Sequence, residues 1–222
     1  YSSANTHDYS NSFTSANYQP FSVDTNAQTV TWASVLSSAG GSLTKNGTGI
    51  LILSNTGNSY SGATTVWGGT LRLGVAGAIP DGSDLVVQGS GIFDLYGYSE
   101  TVSGISGSGT ITNTASHAAT LTTSRAISYN ADSSVYWYTF SGSITDAGSY
   151  PLTLTKAGSY YLSLSGNNSF TGGVNIVGGV LSAGSSTALG TNGTISFSNS
   201  AVLRYGNSTT DYSSRLDQTS GQ

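Results

Sequence analysis

The chain ends by beginning again. Residues 205–222 are a second copy, one residue shorter, of residues 1–19. Tyr205 answers Tyr1, Asp211-Tyr212-Ser213 answers Asp8-Tyr9-Ser10, and Gln222 answers Gln19. The two copies lie about 204 residues apart, so the sequence runs one period and opens the next. Self-similarity at a fixed period is the mark of repeat architectures, and it points to one unit of a tandem array. A second, shorter spacing of about 110 residues lies inside the first. Leu43-Thr44-Lys45 returns as Leu154-Thr155-Lys156, Asn58-Ser59-Tyr60 as Asn168-Ser169-Phe170, and Gly68-Gly69 as Gly178-Gly179. The chain therefore reads as a single continuous segment with two related halves, about 43–113 and 154–208, and equivalent ends.

The local pattern is strand after short strand. Ile50 to Leu53, Thr64 to Val66, Thr70 to Leu73, Leu85 to Val87 and Ile92 to Leu95 alternate apolar and small polar residues. In the second half Tyr161 to Leu164, Val174 to Val177, Val180 to Leu181, Thr194 to Phe197 and Ala201 to Tyr205 do the same. That alternation places one face of each run inside. Gly-Gly, Asn-Gly and Ser-Gly pairs between the runs supply turns. One helical turn is expected near Ser34 to Ser38. Runs this short cannot bury a core alone, but stacked coils can. The reading is all-β, a parallel β-helix (β-solenoid). At 20 to 25 residues per coil it should have about nine to eleven coils and a length of about 45 Å, given strand spacings near 4.8 Å. Two antiparallel sandwiches are the alternative, disfavoured because sandwich strands are longer.

The residues also resemble a known family. Leu43-Thr44-Lys45-x-Gly47-x-Gly49-x-Leu51-x-Leu53, then Asn58-x-Tyr60-x-Gly62-x-Thr64-Thr65-Val66-x-Gly68-Gly69-Thr70-Leu71, is similar to the passenger-associated transport repeat, also called the autotransporter-associated β-strand repeat. The second copy departs from it at Tyr160, Val174 and Asn175. The resemblance implies a right-handed parallel β-helix in a large, secreted or surface-displayed bacterial protein exported through an outer-membrane barrel. It implies no particular activity.

Composition narrows the function. Charged residues are 7% of the chain, against about 25% in ordinary domains. Six Lys and Arg, scattered in a chain of net charge −4, argue against nucleic acid, which demands clustered cations. Cys is absent, so thiolate chemistry and disulfides are excluded. Met is absent even at position 1, as expected of a processed product or excised segment. No apolar run reaches the roughly 18 residues of a membrane-spanning helix.

Candidate chemistry is sparse, and no cofactor or metal site is expected. The acids are Asp8, Asp24, Asp81, Asp84, Asp94, Glu100, Asp132, Asp146, Asp211 and Asp217. Glycoside cleavage needs two carboxylates converging within about 5 to 9.5 Å. Asp81 and Asp84 share one turn and read as turn formers, while Asp8 and Asp211 are one site type seen twice. His7 and His117 lack partners at ligand spacing. Lys45 and Lys156, at equivalent places, read as solvated charges guarding a coil edge. Aromatic residues are the best candidates for contact. Tyr136, Tyr138 and Phe140 share one strand face, with Val135 and Trp137 on the other. Tyr9 and Tyr18 lie in the duplicated end segment. An exposed aromatic row binds sugar faces or neighbouring fibres, whereas a buried one stacks on adjacent coils.

Three functions follow in order. The first is a non-enzymatic structural repeat of a long extracellular or cell-surface bacterial fibre or adhesin stalk. Its partners are neighbouring copies end to end, with lateral fibre contacts besides. The second is a glycan- or cell-binding adhesin module using the aromatics. A carbohydrate-active enzyme comes last, for want of paired acids.

Overall fold

The structure is a computed structural model, described here for residues 1–2, 4–126, 137–146, 150–198 and 200–217. Three sheets wind about one axis. The first stacks nine strands: Phe21–Asp24, Leu43–Asn46, Thr64–Val66, Leu85–Val87, Ile105–Gly107, Trp137–Phe140, Tyr161–Leu164, Val180–Ala183 and Val202–Tyr205. The second stacks six: Thr29–Trp32, Ile50–Leu53, Thr70–Leu73, Ile92–Asp94, Thr110–Asn113 and Ser143–Asp146. The third stacks five: Glu100–Val102, Ala119–Thr123, Leu152–Lys156, Val174–Ile176 and Ile195–Phe197. Every pairing between these strands is parallel, as in Phe21↔Leu43 and Leu51↔Leu71. This is a β-solenoid. Nine rungs in the first sheet make eight inter-rung steps, about 38 Å at 4.8 Å per step.

Parallel register makes columns. In the second sheet Val30, Leu51, Leu71, Phe93, Ile111 and Ile144 stand one above another, all buried. Their outward neighbours are short and polar or half-exposed, so the two-residue alternation is read directly as inside and outside. Burying each such side chain stabilises by roughly 1.5–3 kcal/mol, and stacking makes that gain continuous along the axis. Between coils, buried asparagines tie three levels together. Asn58 accepts from the Leu36 amide at 2.7 Å and donates to the Ala78 carbonyl at 2.8 Å. Asn168 repeats this with Ile144 and Ala188.

Equivalent segments of the two halves do not share a face. Leu43–Asn46 lies in the first sheet and its counterpart Leu152–Lys156 in the third. Ile50–Leu53 lies in the second and its counterpart Tyr161–Leu164 in the first. The motif shifts by one face of three between its copies.

Two details differ from expectation. No helical turn forms at 34–38, because the Ser34 and Leu36 amides donate sideways, to Ser10 Oγ and Asn58 Oδ1, rather than along the chain. Short 3-10 turns occur instead at Ser10–Ser12 and Ser213–Arg215. The step from Gly107 to its partner Phe140 spans 33 residues, of which 127–136 lie outside the described ones. No helix among the described residues is long and apolar enough to cross a membrane.

Candidate contact surfaces

The strand Trp137–Phe140 turns the aromatic reading over. Tyr138 is in register with Leu162, and Phe140 with Leu164, both core residues. Phe140 is wholly buried, so it offers no contact surface. Tyr138 is half-buried; its hydroxyl donates to Asp84 at 2.7 Å and its ring meets Tyr160 edge-on at 5.4 Å. Tyr136 lies outside the described residues. Within 137–140 the sides alternate as a strand's do, and their phase is set by the leucines of the next coil rather than by aromatic content.

The exposed face belongs to Trp137, which is 61% accessible. Its ring stacks on Tyr161 with centroids 3.9 Å apart. The outward column continues through Val180 and Val202, in register with them. With Arg204 and Tyr205 these residues line a trough of about 610 Å³. In the sequence Trp137 falls with Val135 on the strand face opposite Tyr136, Tyr138 and Phe140, and is not among the contact candidates. At the other end Tyr18 is 80% exposed. Tyr9 is exposed too, its ring meeting Tyr1 at 5.6 Å and His7 at 4.7 Å.

The lysines are not solvated edge charges. Lys45 and Lys156 are both fully buried. Lys156 Nζ donates to the carbonyls of Ala157 at 2.9 Å, Gly158 at 3.1 Å and, one coil on, Gly178 at 3.0 Å, and lies 4.0 Å from the Tyr160 ring centroid. Lys45 Nζ reaches the carbonyls of Asn46, Gly47 and Gly68 at 2.6, 3.1 and 3.2 Å. Each glycine turn aims its carbonyls inward at the corner. The ammonium neutralises that cluster of dipoles, the role cations play wherever carbonyls converge without donors. Burial lowers the Lys45 amine below its usual range and pushes Lys156 down to about 7.

The acids are likewise committed to structure. Asp84 receives Arg125 Nη1 through both oxygens, at 2.9 and 3.1 Å, besides Tyr138. It therefore joins residues far apart in sequence instead of merely shaping its own turn. Asp94 pairs with Arg72 at 3.0 Å, one rung apart in register. Glu100 is buried and accepts from the amides of Ala78 and Ile79; burial raises its carboxyl to about 7. Among the described residues no three His, Asp or Glu side chains gather as a metal site.

The duplicated ends fold alike. Tyr9 and Tyr212, the residues before the two 3-10 turns, have φ/ψ of −98°/3° and −100°/4°. Asp8 Oδ1 and Asp211 Oδ1 each accept the amide two residues on at 2.8 Å. Tyr205 and Tyr212 pair at 5.9 Å, as Tyr1 and Tyr9 do at 5.6 Å. Their surroundings differ. Tyr212 is 2% exposed, sealed against the preceding coil, with its hydroxyl donating to the Ser186 carbonyl.

Comparison with known proteins agrees with this architecture. The passenger-associated-transport-repeat matches twice, at residues 43–73 and 154–183. An adhesin, the BmaC autotransporter of Brucella suis biovar 1 (strain 1330), is 40% identical over 144 residues, covering 64% of this chain. The chain spans only about 4% of that protein's length. No solved structure matches the chain.

Proposed function

We propose that this chain is a stalk segment of a large, surface-displayed passenger, in which units follow one another along a single solenoid and perform no chemistry. The observation that carries this reading is the folding of the two end segments into one and the same element, 3-10 turn, aspartate cap and tyrosine pair included. Two transport repeats and an autotransporter adhesin as relative support display at the bacterial surface. Low charge and backbone groups paired between coils suit a rod that must persist outside the cell: few flexible basic tips are left for proteases. The test is electron microscopy of proteins carrying one, two and three units. Each added period should lengthen the particle by nine rungs, about 43 Å at the parallel-strand spacing. Particles that thicken or separate into beads on a string would refute it.

A second reading, an adhesive module within the same stalk, is favoured by the Trp137 trough. A ring held flat by Tyr161 and open on its outer side suits the apolar face of a sugar. Retention on polysaccharide columns should then disappear in Trp137→Ala with Tyr161→Ala, and an unchanged retention would exclude this surface.

A further inference from the structure

The two copies of the end segment each show half of one environment. The copy at residues 1–13 faces the coil that follows it. Tyr1 Oη accepts Trp32 Nε1–H at 3.0 Å, Asp8 Oδ2 accepts the Ala33 amide at 2.9 Å, and Ser10 Oγ accepts the Ser34 amide at 3.0 Å. Phe13 packs on Phe21 and Trp32, at 5.6 and 4.9 Å between centroids. The copy at 205–217 faces the coil that precedes it. Arg215 clamps the carbonyls of Leu189, Gly190, Asn192 and Gly193, and Leu216 pairs in parallel with Ile195. Tyr205, Asp211 and Ser213 stand where Tyr1, Asp8 and Ser10 stand, and Leu216 replaces Phe13 with another apolar side chain. Their forward-facing atoms have no following coil to meet among the described residues.

The ladder carries the match one residue further. The Tyr1 nitrogen donates to the Asp24 carbonyl at 3.0 Å. In this solenoid an amide bonds to the carbonyl just before its register partner, as Leu43, paired with Thr64, does with Ala63. The residue before Tyr1 would thus stand beside Asp24. In the second copy that residue is Arg204. Arg72 beside Asp94 shows what such a rung neighbour does. Arg204 is exposed and, unlike Arg72 and Arg125, has no carboxylate partner among the described residues.

We propose that the end carrying 204–217 is a docking face for a second copy of this chain. Tyr205, Asp211 and Ser213 would receive that copy's Trp32, Ala33 and Ser34, and Arg204 would pair with its Asp24. The proposal rests on the stalk reading and gives it an address: register between units is fixed by one ion pair and three hydrogen bonds, not by apolar stacking alone. Within the isolated chain, residues 1–13 already cover the face at 21–36, so single units do not polymerise through it.

The test uses a two-unit protein in which Gln222 is followed directly by a second copy starting at Pro20. Hydrogen exchange is followed by mass spectrometry in the second copy's residues 21–36. Arg204→Glu in the first copy, or Asp24→Arg in the second, should speed exchange there about tenfold, as local opening becomes easier. The two together should restore it. Asp211→Asn with Ser213→Ala in the first copy should speed exchange at the second copy's Ala33 and Ser34. The same substitutions in single-unit proteins measure any cost to the unit itself; Arg204→Glu there loses the guanidinium's place 5.9 Å from the Tyr161 ring centroid but should leave exchange at residues 21–36 unchanged. If the two-unit rod is elongated but the swap does not restore protection, the pairing is wrong and the stalk stands. If the units form separate particles, both fall.

Discussion

Replacing Lys156 by Met tests whether a buried amino group holds the corner of the coil. The methionine fills most of the volume and removes the charge. Three ammonium–carbonyl bonds vanish, each worth about 1.5–3 kcal/mol net because the donor is charged. Against this, the protein no longer keeps an ammonium out of water, a relief of several kcal/mol. The carbonyls of Ala157, Gly158 and Gly178 lose their donor, so the balance should be a loss of about 2–3 kcal/mol at pH 6. In a chain of this size that lowers Tm by about 4–12 °C. The pH dependence separates this account from simple loss of packing. The lysine titrates at about 7 when folded and near 10.5 when unfolded. Between those values the unfolded chain binds the extra proton, so the parent gains stability as pH rises while the variant does not. The difference between them should widen by about 2 kcal/mol from pH 7 to pH 9. Urea denaturation at pH 6, 7, 8 and 9, with unchanged m-values, measures it. Variant and parent within about 0.5 kcal/mol of each other, with parallel pH profiles, would mean that the amine does not hold the corner.

Glu100→Gln should move the other way. The folded carboxyl titrates at about 7 against 4.5 unfolded, so the parent loses stability as pH rises through that window. The variant should therefore gain on the parent by about 2–3 kcal/mol between pH 4 and pH 8 in the same urea assay. Phe140→Ala should cost about 3–5 kcal/mol, as expected for a buried aromatic, while Trp137→Ala should stay within about 1 kcal/mol; equal costs would mean the two faces have been exchanged. Gly142→Ala would drive a methyl group into the Gly109 carbonyl of the coil below, and thermal melts should show a loss above about 2 kcal/mol. Gly82→Ala, with nothing within 4 Å, should be neutral or slightly stabilising.

Much of the fold was legible because it is written locally. Thr64–Val66, Thr70–Leu73, Leu85–Val87 and Tyr161–Leu164 fall on strands whose ends are the same in sequence and structure, since alternation and glycine turns leave little choice there. What was not legible depends on stacking. Lys45 looks like a surface charge until the Gly68 carbonyl of the next coil arrives above it. Asp84 looks like a turn former until Arg125, 41 residues on, reaches it. The phase of the strand at Trp137–Phe140 was undecidable from its own residues, because either face is aromatic enough to be core. Leu162 and Leu164 decide it from the adjacent rung.

The shift of the motif by one face shows what the two lysine corners do. In both halves the lysine lies at the end of a strand, its glycine turn closes over it, and the next strand leaves on another sheet: first to second for Lys45, third to first for Lys156. The lysine's partners are the same in each case, the two carbonyls after it and the glycine carbonyl of the next coil. The motif therefore specifies a bend and its filling, not a side of the rod. A sequence that encodes bends can be placed on any of three faces without a new core. Two copies can then be offset by about 110 residues, a length that need not be a whole number of coils. The longer period is under no such freedom. Its end elements, capped by Asp8 and Asp211, bring the first sheet back to the first sheet: Tyr205 ends that sheet's ninth strand, and Tyr1 approaches its first through Asp24. The short repeat thus supplies corners, and in the proposed stalk the long one would supply register.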